Sequence, residues 1–198
     1  MIPITRRIAF LFLAALALAP AATAGPVAYR LDRGASRVGF GFSINGLPQR
    51  GTMPIDSARI TIDPANLSHS SVDVTVAVTG ARTGLFLATE ALKGEQVLDA
   101  ARFAEIRFVS TAIRLAPDGR LSGGARIIGR LTMRGITRPV TLNASVYRPP
   151  GSAANDLSRL TIRLSGAISR AAFGASGYAG LVNDQVTLDI TAVIFTGG

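Results

Sequence analysis

The chain has 198 residues, with 21 Lys and Arg against 12 Asp and Glu and no cysteine. Without thiols there is neither a disulfide framework nor a thiolate metal site, so packing and backbone hydrogen bonds must hold the fold. A net charge of +9 favours anionic surfaces such as phospholipid headgroups, whereas scattered arginines without interleaved aromatic platforms argue against a nucleic-acid partner.

Arg6 and Arg7 precede an apolar run from Ile8 to Ala19, and Ala22-Thr23-Ala24 supplies small residues for cleavage, so residues 1–24 read as a signal peptide. The run is shorter than the roughly 20 apolar residues a membrane anchor needs. No cysteine follows it that could carry a lipoprotein anchor. Thr5-Arg6-Arg7 with Phe10 and Leu11 also resembles a twin-arginine signal; by either route the expected location is periplasmic. One domain, residues 25–198, would remain, with 19 of the 21 cations against 12 acids and a net charge of +7.

Val38, Phe40, Phe42 and Ile44 share one parity, with Arg37, Gly39, Gly41 and Ser43 on the other, which predicts a strand. The turn Asn45-Gly46-Leu47-Pro48 leads to Gly51–Ile55, and alternation resumes over Arg59–Asp63. Val72, Val74, Val76 and Val78 give the cleanest period of two. From Thr83 to Asp99 the spacing of Leu85, Ala88, Leu92 and Gln96 suits one or two short helical turns. Strands are then predicted at Ile106–Ser110 and Ala112–Leu115, with a turn at Pro117-Asp118-Gly119. Ala125–Arg134 and Val140–Tyr147 form a hairpin interrupted by Gly135-Ile136-Thr137-Arg138-Pro139. A loop from Arg148 to Asp156 precedes strands at Leu160–Ile168 and Val186–Ile194, which are joined by the Gly-rich Phe173–Tyr178 segment. Seven to ten short strands with one helical interruption define an all-β class, a barrel or sandwich. Closure would remove the exposed edges, and about eight strands leave room for packed side chains or one slender ligand.

Catalytic chemistry is hard to assemble. His69 is the only imidazole and reads as a solvated residue in a polar turn; a triad with Asp63 or Asp73 would lack a nucleophile elbow and an oxyanion motif. Glu90 and Glu95, five apart, share no helical face. No metal or cofactor site follows from the spacing. What remains is apolar: Phe40, Phe42, Phe86, Phe103, Phe108, Phe173 and Tyr178 fit either simple core packing or a lined cavity. Small residues among them (Gly39, Gly41, Gly129, Gly166, Ala144 and Ala192) would leave room for the second.

Several segments resemble the YceI-like family. They are Tyr29-Arg30-Leu31-Asp32 with Ser36–Phe40, the pair Thr83-Gly84, Phe103 with Ile106–Thr111, Gly129–Val140, Ser169-Arg170 with Phe173-Gly174, and Asn183-Asp184-Gln185-Val186. They cover nearly the whole exported chain in order, and Gly129–Val140 is the most specific. The resemblance implies an antiparallel lipocalin-like β-barrel of about eight strands, with the helical insertion around residues 83–99. It also implies carriage or storage of a polyisoprenoid or isoprenoid-quinone-like lipid in the lumen, without catalysis. Family members commonly carry a histidine near the end of the first strand, and an Arg-Asp followed by His-Leu after the Thr-Gly pair. Here Ser43-Ile44-Asn45 and Leu85–Leu92 have neither, which leaves the headgroup contacts open.

The expected lumen contacts are Phe40, Phe42, Ile44, Phe108, Leu131, Met133, Leu142, Leu188 and Ile190, with Phe86, Leu92, Phe103, Phe173 and Tyr178 at a mouth or lid. The alternative is a ligand-free envelope accessory that docks on a membrane redox complex through an Arg-rich outer face. Arg126, Arg130 and Arg134 would point outward on a barrel, as that alternative requires. Peripheral contact with an anionic membrane fits the charge, and the sequence leaves a homodimer open.

Overall fold

The computed structural model describes residues 25–116, 123–153 and 155–197. The leader and the turn at Pro117-Asp118-Gly119 lie outside the described residues. Among these there are eleven strands: β1 (Val27–Leu31), β2 (Arg37–Ile44), β3 (Leu47–Met53), β4 (Ile55–Ile62), β5 (Ser71–Ala77), β6 (Arg82–Thr83), β7 (Glu105–Leu115), β8 (Ala125–Met133), β9 (Ile136–Tyr147), β10 (Arg159–Ser169) and β11 (Gln185–Thr196). One helix, α1 (Phe86–Lys93), lies between β6 and β7.

The pairings run β1-β4-β5-β7-β8-β9-β10-β11, and β11 returns to β1, so eight antiparallel strands close a barrel. β2, β3 and β6 prolong β1, β4 and β5 at one end: β2 pairs with β11 and β3, and β3 with β6. Pro54, which has no N–H to give a ladder, separates β3 from β4. Between β1 and β2, Asp32 accepts the Ala35 N–H at 3.1 Å, and Ser36 Oγ accepts the Val193 N–H at 2.9 Å.

Three local departures from strict alternation follow from the pairing. The segment read as two strands around Thr111 is the single strand β7, whose register shifts between Ser110 and Ala112. That bulge moves the inward set from Ile106 and Phe108 to Ile113 and Leu115. A second shift between Ile55 and Ser57 does the same in β4. The turn between β8 and β9 is tighter than expected: only Arg134 (φ 51°) and Gly135 (φ 73°) form it, and Pro139 lies inside β9 opposite Arg130. β10 pairs with β9 only from Asn143 onward, so Pro139 occupies a stretch with one free side, where a missing N–H is tolerated.

Candidate functional site

The alternation of each strand sends one set of side chains into the barrel. Val38, Phe40, Phe42 and Ile44 of β2, Val72, Val74 and Val76 of β5, Leu131 and Met133 of β8, Leu142 and Ala144 of β9, and Leu188, Ile190 and Ala192 of β11 line one cavity of about 1070 Å³. This lies at the upper end of the range for small-molecule pockets. Tyr29, Ser70, Arg148, Arg170 and Tyr178 are the polar exceptions in an otherwise apolar wall. At one end Tyr29, Ile60, Leu160 and Ile194 form a packed cluster, and the Tyr29 hydroxyl donates to the Leu157 carbonyl at 2.9 Å. The opposite end is the mouth, framed by the β2–β3 turn, α1 and the 174–184 loop.

Twelve of the fourteen expected site residues line the cavity: Phe40, Phe42, Ile44, Phe86, Leu92, Phe108, Leu131, Met133, Leu142, Tyr178, Leu188 and Ile190. Phe40 and Phe42 stack with ring centroids 6.0 Å apart. Phe103 and Phe173 do not line it. Phe103 packs against the β8–β9 turn, with the Arg102 and Arg134 guanidinium carbons 5.3 and 6.0 Å from its ring centre. Phe173 is 2% exposed in a core cluster with Leu98, Val140 and Ala175. Neither is at the mouth as expected: both sit in connections, and a connection has no alternation to tell inside from outside.

The small residues behave in three ways. Ala144 and Ala192 leave space on the cavity wall. Gly129 and Gly166 face inward but are covered: a Cβ on Gly129 would stand 2.4 Å from the Phe108 ring, and one on Gly166 would stand 2.8 Å from Leu142 Cδ2. Gly39 and Gly41 have the opposite parity to the lining residues Phe40 and Phe42. A Cβ on Gly39 would stand 2.8 Å from the Asp189 carbonyl, and one on Gly41 would stand 2.5 Å from Thr187 Oγ1.

The mouth loop is held by a residue that sequence reasoning did not place in the site. Arg170, 7% exposed, donates from Nε to the Asn183 carbonyl at 3.0 Å. Its terminal nitrogens donate to the carbonyls of Ala175, Gly177 (2.7 Å) and Val182 (2.8 Å). No carboxylate pairs with it among the described residues. Its planar fork can reach four carbonyls at once, which a lysine ammonium cannot. On the other side of the mouth, Thr89 is buried and anchors α1: its hydroxyl accepts the Thr83 N–H at 2.9 Å and donates to the Leu85 carbonyl at 3.1 Å.

His69 lies at the far end, exposed, with Nδ1 3.2 Å from Asp63 Oδ2. Its Nε2, the atom that would activate a serine, faces Asn66 Nδ2 at 3.4 Å. Backbone N–H donation from Asn66 first, and also from Ala65, holds the Asp63 carboxyl below its ordinary range. No group of three metal-ligating side chains occurs among the described residues, and no helix there is long and apolar enough to cross a membrane. Of the three outward arginines on β8 and its turn, Arg126 and Arg130 are exposed, while Arg134 donates to the Glu95 and Val97 carbonyls at 2.7 and 2.9 Å.

An antiparallel barrel closed by its first and last strands around one apolar cavity is the lipocalin-like class of architecture. The YceI-like domain matches residues 29–194, and the chain belongs to that family. It is 29% identical over 143 residues to a UPF0312 protein of Pseudomonas fluorescens, covering 67% of this chain and 71% of that protein. It is 28% identical over 121 residues to the protein YceI of Salmonella newport, covering 60% of this chain and 61% of that one. Among solved structures it shares the fold of Burkholderia cenocepacia BcnA, with a TM-score of 0.72, 24% identity, and coverage of 83% and 99% of the two chains. It also shares the fold of a polyisoprenoid binding domain from Saccharophagus degradans implicated in plant cell wall breakdown, with a TM-score of 0.60, 14% identity, and coverage of 86% and 99%.

Proposed function

We propose that this protein is a periplasmic carrier that encloses the chain of a polyisoprenoid or isoprenoid-quinone-like lipid in the barrel. The observation that carries the reading is the continuous apolar lining, from the packed Tyr29 end to the mouth, around about 1070 Å³. Each methylene moved there from water gains about 0.8 kcal/mol, so a long prenyl chain is held firmly without any ionic contact. In this reading Phe40, Phe42, Ile44, Phe108, Leu131, Met133, Leu142, Leu188 and Ile190 touch the chain, and Phe86, Leu92 and Tyr178 meet it at the mouth. The name of the Saccharophagus domain supports the ligand class, and the leader read in residues 1–24 supports the location. No bond is made or broken; what the cavity offers is solvation.

The test is native mass spectrometry on protein purified from its own periplasm, followed by extraction and identification of released lipid. A stoichiometric prenyl species is expected. A Phe42→Asp variant that keeps its barrel circular-dichroism spectrum should lose that lipid, because a carboxylate in a dry lumen repels an apolar chain. An empty wild-type barrel that also refuses added isoprenoid quinone would overturn the reading.

A further inference from the structure

The exposed apolar residues are not scattered. Of the seven large hydrophobic side chains exposed among the described residues, six surround the mouth: Leu47, Leu85, Phe86, Leu87, Tyr178 and Leu181. The seventh, Tyr147, lies under the Arg163 guanidinium on the barrel flank. Phe86 and Leu87, in the first turn of α1, are 77% and 80% exposed. Three segments meet to form this rim. The Asn45 N–H of the β2–β3 turn donates to the Leu181 carbonyl at 2.9 Å, and Gly177 N–H donates to the Gln96 carbonyl, just past α1, at 2.8 Å. Five of the six also line the cavity opening, so the outer patch and the dry lumen are one surface.

Two cations flank it. Arg50 on β3 and Arg82 on β6 are exposed beside a shallow depression they share with Thr52 and Thr83. Neither makes an ion pair or side-chain hydrogen bond among the described residues, whereas Glu90 of α1 is held by Lys93 at 3.3 Å. Apolar side chains projecting beside unpaired arginines match the headgroup–acyl boundary of an anionic bilayer.

We propose that the mouth end docks on an anionic phospholipid membrane, with Leu47, Phe86 and Leu87 entering the boundary layer and Arg50 and Arg82 contacting headgroup phosphates. Docked this way, the opening faces the acyl region and a lipid passes between bilayer and lumen without crossing water. The docking geometry stands on the rim alone; the passage of cargo rests on the carrier reading above.

The test uses the protein as purified from the periplasm in sedimentation with vesicles of phosphatidylglycerol and phosphatidylethanolamine, against vesicles of phosphatidylcholine. Binding should favour the anionic vesicles and weaken in high salt. It should fall about tenfold in Leu47→Ser/Leu87→Ser and about fivefold in Arg50→Gln/Arg82→Gln, from lost burial and lost charge respectively. These side chains are exposed, so the variants fold. The chain has no tryptophan, so in Leu87→Trp a single indole reports insertion by a blue shift of its emission. Absence of vesicle binding, binding untouched by the Leu47→Ser/Leu87→Ser change, or a dimer in solution that this change dissolves would overturn the docking. Vesicle binding through the rim by a barrel that never holds lipid would sustain the docking and sink the carrier reading; lipid loading without vesicle binding would do the reverse.

Discussion

At Arg170, a guanidinium that makes no ion pair among the described residues is stabilised by four carbonyls of the loop that follows it. Removing it would leave buried acceptors that the loop cannot satisfy from within, and such groups are costly. Arg170→Met should therefore lower the unfolding free energy by about 3 kcal/mol in chemical denaturation, and Arg170→Lys should recover only a small part of that. Close packing makes a second expectation at the same scale. A methyl on Gly129 meets the Phe108 ring and, 2.6 Å away, the backbone oxygen of Val109. On Gly166 it meets the movable end of Leu142 at 2.8 Å and a backbone oxygen at 3.2 Å. Gly129→Ala should therefore cost about 1–3 kcal/mol and Gly166→Ala distinctly less, as compared by thermal melts of the two variants.

Among the elements, Asp73 joins three strands on the outer face: from β5 it accepts hydrogen bonds from Arg107 of β7 at 2.7 and 2.9 Å, and from Arg59 of β4. The Arg107 hydrogen bond first, and then Arg59, holds its carboxyl down to about 2 from an ordinary 3.8. A carboxylate depressed in the folded state stabilises it at pH values above its unfolded pKa, and that stability is lost as pH falls from about 4 towards 2. Both arginines are largely exposed, so the effect is about 1 kcal/mol after solvent screening. Asp73→Asn should melt lower than wild type at pH 7 and approach it at pH 2. Elements of this kind also show how far the sequence could be read. Strict alternation in β2, β5, β8 and β11 made the inward faces legible, and with them Phe40, Phe42, Leu131, Met133, Leu188 and Ile190. The bulges in β4 and β7 were not legible, because an extra residue in a strand is fixed by its partner across the ladder. Pro139 read as a turn for the same reason: whether a strand accepts a proline depends on which of its sides is paired. The clean Val72, Val74 and Val76 alternation was visible as a strand, yet nothing in it alone distinguished a lumen wall from a packed core. Arg170 stood out only as part of a family-like segment, not as a site residue, because a buried cation held by backbone carbonyls makes no ion pair that spacing along the chain could suggest.

For the whole molecule, the cavity couples stability to occupancy. A lipid that binds only the closed barrel raises its stability in proportion to the logarithm of one plus the ratio of its free concentration to Kd, by about 2.7 kcal/mol at a hundredfold excess over Kd. Gentle delipidation should therefore lower Tm, and adding back the extracted lipid should restore it, as read by scanning calorimetry. Narrowing the lumen should lower the load without opening the barrel: Ala192→Phe, at a position that now leaves space on the wall, should carry less lipid at an unchanged far-ultraviolet spectrum. The barrel is closed where Tyr29, Arg30 and Leu31 of β1 meet Thr196, Phe195 and Ile194 of β11. The two sides of that seam are therefore the first and the last strands of the barrel in chain order. Until β11 pairs, β1 has no neighbour on that side, and an incomplete chain has no cavity in which to trap anything. Closure and filling are thereby ordered in time: the cavity exists only after the final strand has paired, and a chain cut short before Gln185 would leave an open sheet with no container at all.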